Sequence, residues 1–306
     1  MREADGPGDK SDGTMASQAV APFEIRRPMR QTEPFVYNSP HSGRVYPDAF
    51  LSMSRLDRNA IRRSEDYYVD ELFASAVQLG APLLAAQFPR AWLDVNREPY
   101  ELDPRMFDGP LPSFANIGSM RVAGGLGTIP RLVAENMDIY RGRLSVDEGL
   151  SRIEQVYRPY HANLRKLIAQ THVQFGKAIL IDCHSMPANV RVAGGIARPD
   201  IIIGDRYGAS AAHDLSFAAV SVLSELGYHV VRNKPYAGGF ITEHYGRPGR
   251  GLHALQIELN RGLYVDEVTL EKTAGFELLK ADLWEFSARM MAHVRDELAN
   301  ERLAAE

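Results

Sequence analysis

The sequence has little of several things, and each shortage excludes something. It holds one cysteine, Cys183, in 306 residues, so a disulfide within the chain is impossible. That fits a reducing compartment, and a cytoplasmic location is the expectation. No apolar run approaches the roughly 18 residues of a membrane span, so no membrane contact is expected. Charge of one sign is not in excess. Lys and Arg number 35 against 39 Asp and Glu, a formal net charge of -4, which gives no global reason to expect nucleic acid as a partner. Motifs are missing too. There is no Gly-x-Ser-x-Gly elbow, which weakens a serine-hydrolase reading, and no His-Glu-x-x-His helix. Gly124-Gly125-Leu126-Gly127 lacks the spacing of a dinucleotide or phosphate loop.

Apolar residues make up 45% of the chain, enough for a substantial core in one large α/β domain or two smaller ones. Residues 1–22 are expected to be a disordered tail. Met1–Val20 is rich in Gly, Asp and Ser and lacks a signal peptide's apolar stretch. Met15 is a candidate true start, and residues 23–306 are expected to form one domain.

Short apolar runs and helical stripes alternate along the rest. Strands are expected at Phe35–Tyr37, Pro82–Phe88, Ala178–Ile181, Asp200–Gly204, His229–Arg232 and around Leu255, with Trp92–Arg97 as a further short extended segment. Helices are expected from Asp66 to about Leu79, from Ser145 to Gly176, from Ser210 to Leu226, and from Thr269 onward. Ser145 with Glu148 forms a capping box. Pro99–Pro130 reads as loop. The alternation implies a mostly parallel sheet covered on both faces, with sites beyond the carboxyl ends of its strands.

Four polar residues follow such ends: His41, Asn96, His184 and Glu258. Leu255-Gln256-Ile257-Glu258-Leu259-Asn260 alternates apolar and polar residues, so Glu258 shares a strand face with two amides. A carboxylate there is costly to bury without compensation, and over a cleft it would serve as a general base. His184 shares a face with Asp182, while Cys183 points the other way as a packed thiol. A lone histidine such as His41 is more often structural than functional. A catalytic zinc takes three protein ligands, which two histidines and either Glu65 or Asp66 would supply. Asp66 as a plain helix cap is the competing reading. Asn96-Arg97 has the donors to clamp a carboxylate, with Arg261, Arg90 and Arg121 competing for that role. Tyr236–Thr242 reads as a glycine loop before a strand, which either lets backbone approach a substrate closely or simply turns.

Ser39-Pro40-His41-Ser42-Gly43, Asp66, Asp94-Val95-Asn96-Arg97, Asp182-Cys183-His184-Ser185-Met186-Pro187, Gly238-Gly239-Phe240-Ile241-Thr242 and Ala254-Leu255-Gln256-Ile257-Glu258 occur in one order. That ordered set resembles the N-formylglutamate amidohydrolase family, whose fold is related to zinc carboxypeptidases and to deacylases similar to aspartoacylase. The resemblance covers roughly Phe35 to Glu267. It implies a three-layer α/β/α sandwich around a mostly parallel mixed sheet. It implies Zn2+ (or another divalent transition metal) held by His41, Asp66 and His184, and a zinc-bound water activated by Glu258. Asn96, Arg97, Gly238, Gly239, Thr242 and Arg261 would contact substrate. Carboxypeptidases carry Glu three residues after the first histidine; here that position is Arg44. The implied reaction cleaves N-formyl-L-glutamate, a small acidic N-acyl amino acid, to formate and L-glutamate, as in histidine degradation. A deacylase of another N-acyl amino acid or small peptide, and a non-catalytic carboxylate-binding protein on the same fold, are the alternatives.

Overall fold

The structure is a computed structural model that describes residues 21–190 and 198–305. The expected tail, including Met15, lies outside the described residues up to position 20. Nine strands are described: β1 (Phe23–Arg26), β2 (Phe35–Ser39), β3 (Leu83–Ala86), β4 (Leu132–Ala134), β5 (Met137–Asp138), β6 (Ala178–Met186), β7 (Ile201–Gly204), β8 (Val230–Arg232) and β9 (Leu252–Asn260). The α-helices are α1 (Asp48–Met53), α2 (Val69–Leu72), α3 (Ser75–Gln78), α4 (Met120–Ala123), α5 (Val146–Arg152), α6 (Arg158–Phe175), α7 (His213–Glu225), α8 (Phe240–Tyr245) and α9 (Gly275–Ala305). None is long and apolar enough to cross a membrane.

Seven strands form one sheet in the order β1-β3-β2-β6-β9-β7-β8, and β4 and β5 make a separate hairpin. β3, β2, β6 and β9 run parallel; β1 and the β7–β8 pair run against them. The two-residue alternation sorts side chains between two apolar clusters. Phe35, Tyr37, Ile179, Ile181, Cys183, Leu255 and Ile257 face one cluster with residues of α7 and α9. Val36, Leu180 and Ala254 face the other, with residues of α6. The second face carries the polar ends: Asn38, Asp182 and Gln256 lie side by side in register, as do His184 and Glu258.

Four local expectations are corrected. The segment after Asp66 is two single-turn helices; Tyr68 at φ 57° keeps α2 from extending back to Asp66. Val69, Leu72 and Phe73 still point into the core, so the stripe is real although the helix is broken. Trp92–Arg97 joins no sheet. It is a buried turn fastened by Asp94 N–H to Thr128 O at 2.8 Å and by His161 Nε2 to Val95 O at 2.8 Å, so Asn96 follows no strand. The glycine loop feeds α8, not a strand. The C-terminal helix starts at Gly275, because Asp266 takes the Val268 and Thr269 N–H groups and Leu270 sits at φ 62°. The Ser145 cap holds, its Oγ accepting Glu148 N–H at 3.1 Å. Glu148 pairs with Arg152 instead of returning to Ser145. The run then passes through a π turn at Ile153–Tyr157 and stops at Gly176, φ 78°.

Candidate active site

Beyond the end of β2 the chain turns through Pro40–Gly43, and this turn fastens the next piece of the site. The His41 carbonyl accepts Asp66 N–H at 3.0 Å. Gly43 is required, since a Cβ there would lie 2.0 Å from the Phe88 carbonyl oxygen. His184 sits near the end of β6, its ring centroid 4.9 Å from that of His41. Asp66 Oδ2 is 3.0 Å from His184 Nδ1 and 3.5 Å from His41 Nδ1. His41 Nδ1 is buried with no hydrogen-bond partner. The three donor atoms lie within 4.8 Å of one another, a spacing that suits one metal ion. Glu65 faces elsewhere, toward Arg62 and Tyr46. Asp66 caps no helix.

The outer nitrogen of each imidazole meets a carboxylate. His41 Nε2 is 2.7 Å from Asp94 Oδ1, and His184 Nε2 is 2.9 Å from Asp182 Oδ2. Such partners orient a ligating ring and leave the inner nitrogen as a lone pair. Asp182 is itself held by Asn38 Nδ2 at 2.7 Å, and Asn38 Oδ1 accepts Tyr160 Oη at 2.6 Å. Asp66 Oδ1 accepts Ser185 Oγ at 3.0 Å and Arg261 Nη2 at 3.3 Å. Burial alone would raise the pKa of Asp66, but its contact with His184 and the nearby His41 imidazole hold it well below the usual carboxylate range. Burial opposes charge on His184; the Asp182 and Asp66 carboxylates outweigh it and raise its pKa well above the usual imidazole value.

Glu258 pairs with His184 across the β6–β9 ladder and is 8% exposed. Burial, with the negative charge of Asp66 adding to it, pushes its pKa up to about 7 against the opposing His184, Arg90 and Arg261. Gln256 Nε2 donates to Glu258 Oε1 at 2.8 Å, which leaves Oε2 for a reactant. Gln256 Oε1 accepts Gly239 N–H at 2.7 Å, with Thr242 Oγ1 at 3.4 Å. The same amide therefore sets both the carboxylate and the glycine loop.

A cavity of about 830 Å³ opens over these groups. It is lined by His41, His184 and Glu258, and by five arginines, Arg63, Arg90, Arg97, Arg206 and Arg261. Asn96 and Arg97 are there, already bonded within the protein. Asn96 Oδ1 accepts Ile241 N–H at 2.8 Å, and its Nδ2 is 3.2 Å from His184 Nε2. Arg97 donates to Leu126 O and Asn96 O, both at 2.7 Å, and lies 3.4 Å from Asp94. Burial lowers its pKa to about 10. Arg90 Nε donates to Asp94 Oδ2 at 3.0 Å; among the described residues its terminal nitrogens have no hydrogen-bond partner. Arg121 pairs instead with Glu101 at 3.7 Å. Gly238 and Gly239 form one wall, and a Cβ on Gly239 would lie 2.5 Å from Asn96 Nδ2.

Residues 33–265 match the model of the N-formylglutamate amidohydrolase family. The chain belongs to that family. An N-formylglutamate deformylase of Pseudomonas putida is 30% identical over 237 residues, 76% of this chain and 82% of the relative. Its counterpart in Pseudomonas aeruginosa is 31% identical over 238 residues, 76% and 83% of the two chains. The crystal structure of N-formylglutamate amidohydrolase from Ralstonia eutropha JMP134 matches with a TM-score of 0.86 at 35% identity, covering 91% of this chain and 100% of that one. A gene product of Agrobacterium tumefaciens shares the fold, with a TM-score of 0.63 at 17% identity over 89% and 96% of the chains. Family membership makes the chain an enzyme that hydrolyses C–N bonds.

Three contributors are not marked as functional by local sequence. Asp94 stands beside the Asn96-Arg97 pair, and nothing near it points to His41, 53 positions away. Gln256 is marked only by its place two residues before Glu258 on one strand face. Arg206, on the cavity wall, carried no signal at all.

Proposed function

We propose that the protein hydrolyses N-formyl-L-glutamate to formate and L-glutamate with Glu258 as general base and a divalent transition metal, zinc by preference, held by His41, Asp66 and His184. The observation that carries this is the meeting of two imidazole Nδ1 atoms with one carboxylate oxygen, each ring backed by a second carboxylate, beside a carboxyl group poised near neutrality. The unpartnered His41 Nδ1 and the nitrogen-and-oxygen donor set suit zinc. Bound there, zinc would supply Lewis acidity and lower the pKa of a water towards about 7.

Glu258 Oε2 takes a proton from water as the water oxygen attacks the formyl carbon. The same proton then passes to the amide nitrogen as the C–N bond breaks, giving formic acid and the amine, and the acid's remaining proton goes to the amine or to solvent to leave formate and the ammonium form of L-glutamate. Arg90 is assigned to the developing oxyanion: its Asp94 contact places it beside His41, and its terminal N–H groups are free to donate. Asn96 and Arg97 are assigned to the α-carboxylate, Arg97 through the one N–H left on each terminal nitrogen. Gly238 and Gly239 shape the wall behind the substrate, whereas Thr242 is fully buried outside the cavity lining and reaches the site only through its 3.4 Å contact with Gln256 Oε1. Arg261, bonded to Ser185 and Asp66, acts on substrate by steadying the ligand set. The apolar clusters on both faces of the sheet support a three-layer arrangement, and the domain is taken to span residues 23–306 with the zinc-exopeptidase-like fold that the family resemblance implies.

The test is formate release from N-formyl-L-glutamate by purified protein, after chelation and again after zinc is restored. Zinc-dependent release is expected. Release that ignores chelation overturns the metal assignment. No release from folded, zinc-loaded protein overturns the substrate and moves the reaction to another N-acyl amino acid.

A further inference from the structure

A glutamyl substrate carries two carboxylates, and the groups assigned above account for only one. We propose that Arg206 is the specificity residue that binds the side-chain carboxylate. The inference rests on the N-formylglutamate reading and extends it to a residue outside the family motifs quoted above.

Arg206 differs from the other cavity arginines in what it has to give up. Arg97 is tied to Leu126 O and Asn96 O, and Arg261 to Ser185, Arg63 O and Asp66. Arg90 belongs to the reacting end through Asp94. Arg63 is exposed, with Nη1 4.0 Å from Met137 Sδ on the hairpin. Arg206 pairs at 2.7 Å with Glu243, a carboxylate 58% exposed, and donates to Gly238 O at 3.3 Å. A pair with so exposed a carboxylate is weak and exchanges readily for another carboxylate. A guanidinium matches a carboxylate with two parallel N–H donors.

The backbone is built to place this side chain. Arg206 and Tyr207 are consecutive non-glycine residues in the left-handed region, φ 54° and 57°, a conformation that persists only where surrounding structure enforces it. Asn233 Oδ1 enforces it by accepting Asp205 N–H at 3.0 Å and Tyr207 N–H at 3.4 Å, and Arg206 N–H donates to Ala237 O at 2.7 Å. The side chain then crosses Gly238, whose φ of 122° and missing Cβ make the room; a Cβ there would lie 3.1 Å from Arg206 Cδ. The next residue, Gly239, is bonded through Gln256 to Glu258. Arg206 therefore lines the same cavity as the base, one loop away from it, with a guanidinium held only by an exposed carboxylate and one carbonyl.

The experiment compares N-formyl-L-glutamate with N-formyl-L-glutamine, which replaces the side-chain carboxylate by an uncharged amide of the same shape. Wild type should favour the glutamate substrate in kcat/KM by about a hundredfold or more. Arg206→Gln should shrink that ratio to within about threefold, through KM for the glutamate substrate. Arg206→Lys, which keeps the charge without the fork, should restore part of it. Equal losses on both substrates, a preserved ratio in Arg206→Gln, or no preference in wild type would each overturn the proposal. Calorimetry with L-glutamate and L-glutamine gives a second readout that needs no turnover. If wild type releases no formate, the reaction assignment fails, while selective glutamate binding that Arg206→Gln abolishes still upholds Arg206. Loss of glutamate affinity without change in glutamine affinity is the expected result; parallel changes overturn it.

Discussion

At their amino ends β6 and β9 begin beside Lys177, Asp214, His253 and Glu297; at their carboxyl ends they finish beside Asp66, Asp94, His184 and Glu258. The residue types are nearly the same, and the outcomes differ. At the amino end the charges close on themselves. Lys177 Nζ lies 3.1 Å from Glu301 and 3.5 Å from Glu297, His253 Nδ1 accepts Ala212 N–H at 3.1 Å, and the space between them is about 20 Å³. At the carboxyl end two imidazoles turn their Nδ1 atoms toward one carboxylate, His41 Nδ1 has no partner, and the cavity is about 830 Å³. The pKa shifts follow the same split: burial lowers that of His253, whereas surrounding carboxylates raise that of His184. A cluster of ionisable groups becomes a site when its donors converge and stay unspent beside space for a reactant. A cluster that supplies its own counter-ion is structural.

The largest expected effect comes from removing the base while sparing the ligand set. Glu258→Gln should lower kcat by about a thousandfold or more at unchanged metal content, and a variant retaining a tenth of wild-type activity would remove Glu258 from that role. Breaking the support behind one ligand comes next. Asp182→Asn leaves all three donors in place and should weaken metal affinity by about 10- to 100-fold, read by competition with a chelator; unchanged affinity would show that the outer carboxylate is not needed. The pH profile sharpens the comparison further. Because Glu258 must be ionised to accept a proton and its pKa is pushed up to about 7, kcat/KM should rise with pH through an acid limb, which a bound cation moves lower. The residual activity of Glu258→Gln should lack that limb. A wild-type profile flat from about pH 5 to 8 speaks against the assignment. The smallest effect belongs to the other end: Lys177→Ala should cost roughly 1 kcal/mol, a few degrees in Tm at most, with kcat/KM unchanged. A loss of activity there would erase the distinction between the two clusters.

Much of this was legible along the chain wherever the relevant interaction is local or follows a strand's two-residue period. The β6 and β9 patterns placed Asp182 with His184 and Gln256 with Glu258 on one face and sent Cys183 into the core. Ser145 and Gly176 were legible as helix ends because a cap acts within one turn. The broken helix after Asp66 was not, since its stripe of Val69, Leu72 and Phe73 suits one long helix equally well. Nor was the turn at Trp92–Arg97, whose Leu93 and Val95 alternate as a strand would but pack beside the sheet, held by the side chains of Tyr157 and His161 from the π turn and α6.

The sequence by itself determined the kinds of donor present, their order, and which of them share a strand face, because alternation is a property of neighbouring residues. Tertiary structure alone decided that Asp66 and not Glu65 meets the histidines, that Asp94 backs His41, that Arg261 is spent on protein atoms, and that Arg97 keeps only part of its fork while Arg90 and Arg206 keep more donors for a ligand. It also decided the elevated pKa of Glu258. Contacts across many tens of residues and the loss of solvent around a carboxylate exist only once the loops have closed over the strand ends, and no local pattern encodes either.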